Sequence, residues 1–72
     1  MLYSLEGVNG NTLSLVSYTK KALKETGHND LIDKMSKEAL AGDYDHAIRT
    51  CLTYLDIANG EMNPEDLGDH VL

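Results

Sequence analysis

The stretch "DYDHAIRTCLTYLDIANG", residues 43 to 60, decides the fold. Tyr44, Ala47, Ile48, Cys51, Leu52, Leu55 and Ala58 fall at offsets 0, 3, 4, 7, 8, 11 and 14 from Tyr44, the repeat of one face of an α-helix. This spacing predicts a helix over 43–59 with Tyr44 opening its apolar stripe. Asp43 suits the cap position, where its carboxylate accepts from exposed amides, and Asp45 brings negative charge to the positive end of the helix dipole. Gly60 closes the helix.

Outward from that helix, Leu31, Ile32, Met35, Ala39 and Leu40 recur at helical intervals and predict a second helix over 29–41, stopped by Gly42. Its other side, Asp30, Asp33, Lys34, Ser36, Lys37 and Glu38, reads as a solvated face. A third helix is expected over 12–26, capped by Asn11 or Thr12 and ended by Gly27, with Leu13, Leu15, Val16, Ala22 and Leu23 on its apolar side. Short links make sequential helices antiparallel, so the expected fold is all-α, a small three-helix bundle in a single domain over 1–72. An N-terminal arm, 1–10, holds Leu2, Tyr3, Leu5 and Val8 before the turn-prone pair Asn9-Gly10 and reads as a short strand. In the acidic segment 60–72, "NPEDL" offers Asn63 as a cap and Pro64 at the first position of a short C-terminal helix.

A domain of 72 residues buries roughly 60% of its unfolded surface, so something must supplement the core. One cysteine, Cys51, cannot form an internal disulfide, and with His28, His46 and His70 it makes no zinc spacing. No metal or cofactor is expected, which leaves self-association as a homodimer or a very regular core. The N-terminus has no signal-peptide pattern and no run approaches a membrane span. The expected location is cytoplasmic, in keeping with a lone thiol.

Net charge is −6, unevenly placed: Lys20, Lys21 and Lys24 against Glu6 and Glu25 leave residues 1 to 27 at +1 and the remainder at −7. From Asp56 onward, Asp56, Glu61, Glu65, Asp66 and Asp69 meet no basic side chain. Nucleic-acid affinity comes largely from Lys and Arg displacing counterions, so direct DNA or RNA binding is disfavoured. A protein partner with a basic surface fits instead.

The "GDYDH" joint also invites chemical readings. A calcium loop counted from Asp43 needs glycine and glutamate where Ile48 and Tyr54 stand. His46 and Cys51, five residues apart on one helix, point about 140° apart and cannot act as a pair within it. Cys51 reads as a small core residue. "GVNGN" has no following lysine and reads as a turn, not a phosphate cradle. The second helix of a helix-turn-helix at this joint would open on two aspartates, which repel phosphates, and carry Arg49 as its only base.

The run "GNTLSLVSYTKKALKETGHNDLIDKMSKEALAGDYDHAIRTCLTYLD" resembles a group of short uncharacterised proteins of bacterial and phage genomes, a likeness spanning residues 7 to about 57. It is carried by Gly10 and Asn11 at a "GN" helix start and by Gly42, Asp43, Tyr44, Asp45 and His46 at the joint, with Thr12-Leu13 where the group has Ala-Phe. No activity attaches to the group, so the resemblance implies no catalytic residue. It implies a bacterial or mobile-element origin and a role in phage-host conflict or regulation.

The expected function is therefore non-enzymatic: an acidic helical protein that regulates, inhibits or adapts a protein partner. Tyr18 and Tyr54 serve as contact anchors, and Asp56, Glu61, Glu65 and Asp66 steer the encounter. An alternative is a small-ligand, nucleotide-like binder with an intersubunit pocket, contacted by Tyr44, His46, Arg49 and Lys20 or Lys21. A lesser alternative is an enzyme using Asp43, Asp45 and His46.

Overall fold

A computed structural model describes residues 2–67. Three α-helices appear in it, α1 (Thr12–Glu25), α2 (Ile32–Ala39) and α3 (Tyr44–Ala58), with 3-10 turns at Asn29–Leu31 and Pro64–Asp66. The expected three-helix bundle is the observed fold. The helix expected over 29–41 divides into the 3-10 turn and the shorter α2. No helix among the described residues is long and apolar enough to cross a membrane.

Local chemistry sets the helix ends. Asn11 Oδ1 accepts from the Leu13 amide at 2.8 Å, and Asp43 Oδ1 accepts from the His46 amide at 2.9 Å, each satisfying a donor that the helix leaves orphaned. At the C-termini of α1 and α3, Gly27 (φ +83°) and Gly60 (φ +77°) take the left-handed conformation. The His28 amide then donates to Leu23 O and the Glu61 amide to Asp56 O, both at 2.8 Å, the six-to-one bond of a Schellman closure. Gly42 has no such role: it is not among the positive-φ glycines, and α2 ends three residues earlier at Ala39. Asn63 precedes the Pro64 turn in extended conformation but makes no side-chain cap bond. Of the short C-terminal helix the described residues show that turn followed by buried Leu67, and Gly68 to Leu72, with Asp69 and His70, lie outside the described residues.

The arm is not a strand. Residues 2–10 carry no β pairing; they turn where the Val8 amide donates to Leu5 O at 3.0 Å, and the positive φ belongs to Gly7 rather than to Asn9 or Gly10. A lone strand would leave a row of backbone groups unpaired, and this arm satisfies some of them through side chains. The Asn59 amide grips Tyr3 from both sides, Oδ1 accepting from Tyr3 N–H at 2.6 Å and Nδ2 donating to Tyr3 O at 2.9 Å. Tyr3 Oη donates to Glu25 Oε1 at 2.7 Å, and Tyr18 Oη accepts from the Ser4 amide at 3.1 Å. The rings of Tyr3 and Tyr18 meet edge to face, centroids 6.3 Å apart.

These contacts give the topology. Tyr3 joins the C-terminal ends of α1 and α3, while the Tyr44 hydroxyl donates to Gly10 O beside their N-terminal ends. α1 and α3 therefore run parallel, α2 runs against both, and the arm straps the first pair along its length. Leu5 and Val8 of the strap pack on a core of Leu15, Val16, Leu23, Leu31, Met35, Ala39, Cys51, Tyr54, Ile57 and Leu67.

The apolar faces are offset from the expected stripes. Leu13, Leu40, Tyr44 and Leu52 are exposed, whereas Thr50, Tyr54 and Ile57 are buried. The buried side of α3 is turned by roughly 60° from the stripe that starts at Tyr44. Tyr54 explains the turn: its ring fills the core while its hydroxyl keeps a partner on α2. A tyrosine so placed contributes the area of a large apolar residue without orphaning its oxygen.

Candidate functional site

The "GDYDH" joint is a clasp between α2 and α3. Asp43 turns the chain into α3, which aims the His46 ring back at the C-terminal turn of α2; His46 Nε2 lies 2.8 Å from Glu38 O and bonds to it as a donor. That carbonyl, among the last of α2, also accepts from the Ala41 amide at 3.2 Å. Thr50, one turn on, lies with its hydroxyl 3.5 Å from the same nitrogen. Gly42 completes the clasp sterically, since a Cβ there would stand 2.8 Å from the ring carbons Cδ2 and Cγ of His46. Glycine is required here for space, not for its backbone freedom.

Glu38 is the second hub. Its Oε2 accepts from Tyr54 Oη at 3.0 Å, so one residue of α2 binds α3 through both its backbone and its side chain. Burial, and then the Glu38 carboxylate, push the Tyr54 phenol well above its ordinary pKa. Burial likewise raises the Cys51 thiol, against a smaller lowering by the Thr19 hydroxyl beside it. A thiol held protonated in the core is a poor nucleophile. At the other end of the bundle, the hydrogen bond to Glu25 raises the Tyr3 phenol.

The proposed ligand contacts do not converge. The Tyr44 hydroxyl is bonded to Gly10 O, the His46 ring turns toward α2, and Arg49 faces solvent. Lys20 and Lys21 are exposed on α1. Asp45, which with Asp43 and His46 made up the enzyme reading, is exposed, and Asp43 is engaged as the α3 cap. Among the described residues, no group of three or more His, Cys, Asp or Glu side chains is placed to share a metal ion.

Of the two tyrosines expected at a contact surface, Tyr54 is 1% exposed and is a core residue; Tyr18 is half-buried, with its ring against Tyr3. Tyr54 cannot anchor a partner, because the core already covers it. The acidic set fares differently. Asp56, Glu61, Glu65 and Asp66 are all exposed, on the last turns of α3 and the segment that follows.

Two residues that organise the molecule escaped sequence reasoning. Glu38 looked like one more charge on a solvated face, and Asn59 like the last residue of the helix over 43–59. Asn59 binds Tyr3 across a separation of 56 residues, and no local pattern carries such a signal. No family model matches the sequence, and no similar chain is found among curated proteins or solved structures.

Proposed function

We propose that this chain is a small acidic interaction module, non-enzymatic and cytoplasmic, that binds a protein partner through a basic surface on that partner and regulates, inhibits or adapts it. One observation carries the reading: Asp56, Glu61, Glu65 and Asp66 are exposed together at the end of α3 and just beyond it. Like charges concentrated in one stretch of surface chain steer a basic protein to it and raise the rate of encounter. They repel phosphate, so any connection to nucleic acid passes through the partner. The occupied hydrogen bonds of His46 and Tyr44 favour structural roles for the joint over chemistry. The likeness to short bacterial and phage proteins suits a partner on one side of a phage-host conflict.

The test is capture from lysate of the source cells, comparing the tagged chain with the variant Asp56→Asn, Glu61→Gln, Glu65→Gln, Asp66→Asn. The intact chain is expected to retain a defined protein, with retention falling as salt rises and dropping by about tenfold in the variant. Equal retention by both chains defeats the reading. Failure to retain any protein, together with a thermal shift from nucleotides, turns it toward a small ligand.

A further inference from the structure

The rotation of the buried face of α3 leaves an apolar ridge at the margin of the core, against which its middle residue, Ile48, still packs. Tyr44 and Leu52, each 46% exposed, flank half-buried Ile48 at successive i, i+4 positions, which stack along one side of a helix. Asp45 and Arg49, both exposed, each follow a ridge residue by one position and so line the same flank of the ridge.

We propose that a second copy of this chain covers the ridge, with the two α3 helices antiparallel about a two-fold axis near Ile48. An antiparallel pair centred there sets each residue against the one equally far on the other side of residue 48. Tyr44 then meets the partner's Leu52, and Leu52 meets the partner's Tyr44. The midpoint between Asp45 and Arg49 lies one residue from that axis, about 1.5 Å along the helix. Asp45 therefore reaches the partner's Arg49, and Arg49 reaches the partner's Asp45, forming two reciprocal ion pairs.

The charge order selects this occupant. A minus-then-plus flank is complementary to its own reverse, as the two-fold operation of an isologous dimer requires. A basic helix laid on the same ridge would set like charge against Arg49. Self-association also supplies what a domain of this size lacks, more apolar surface removed from water. The dimer does not depend on the acidic surface having a partner, and its test contains no other protein.

Sedimentation equilibrium of the full chain over about 10 µM to about 1 mM is expected to show the mass rising from 7.9 kDa toward twice that value. Asp45→Arg and Arg49→Asp, each checked for helical circular dichroism, should weaken association by about tenfold or more. An equimolar mixture of the two should recover it, because the mixed dimer restores both opposite-charge pairs. Leu52→Gln, at a position the core does not use, should weaken association with no rescue by either charge variant. A chain that stays monomeric at about 1 mM overturns the proposal. So does a dimer indifferent to these changes, or one whose charge variants fail to rescue each other.

Discussion

At the scale of single residues, the joint between α2 and α3 works through proximity. Gly42 and His46 are neighbours because the His46 ring is held at Glu38 O, and the ring occupies the space that a side chain at position 42 would need. Gly42→Ala is therefore expected to cost about 1–3 kcal/mol by overpacking. In a His46→Ala background the same substitution should cost less, since the ring is gone, though the Cβ of residue 46 still stands 2.9 Å from where a Cβ at position 42 would lie. Urea denaturation of the four chains of this cycle measures the coupling; additive effects would mean that the ring and glycine do not share the space. The sequence identified the residue types of a helix start here, and Asp43 does cap α3. It did not show the steric role of Gly42, because that depends on where a ring four residues away is pulled by a different helix.

At the scale of elements, the arm and the C-terminal end of α3 form one unit. Asn59 satisfies both the N–H and the C=O of Tyr3 with a single side-chain amide, and a half-buried backbone group left without its partner is costly. Asn59→Ala should lower stability by about 1–2 kcal/mol and speed amide exchange in residues 3 to 8, while amides in the middle of α1 and α3 change only with global stability. Exchange monitored by NMR reads this directly; an arm that stays protected would mean that Leu5 and Val8 alone hold it. Helix placement followed from capping and periodicity, which act over a few residues. The arm's conformation did not, since its apolar residues fit a strand equally well until the groove between α1 and α3 gives them somewhere to lie.

At the scale of the whole molecule, packing ties stability to pH. The Cys51 thiol and Tyr54 phenol have ordinary values of 9.0 and 10.0, and burial raises both in the folded state. Above their ordinary values the unfolded chain ionises first and binds fewer protons than the folded one. Their contribution to stability is therefore full below about pH 9 and is lost as pH rises through the folded-state values. Tyr54→Phe should cost about 1 kcal/mol at neutral pH through loss of the Glu38 bond, and should make the alkaline decline shallower. Urea unfolding at neutral pH and at about pH 10.5 tests this. A decline as steep as in the parent chain would place the effect elsewhere.

The sequence by itself determined that three helices form, that Asn11 and Asp43 cap α1 and α3 and Gly27 and Gly60 close them, and that the residues from Asp56 onward are acidic. These depend on backbone propensity, side-chain reach to nearby amides, and formal charge, all of which are local. Only the tertiary structure decided which side of α3 is core. Periodicity treats Leu52 as an inside residue and Tyr54 as an edge residue, yet the bundle buries Tyr54 because Glu38 on another helix can bond its hydroxyl. The same choice turns Tyr44 and Leu52 outward, so the exposed ridge is a consequence of packing between helices and not of any one helix's pattern.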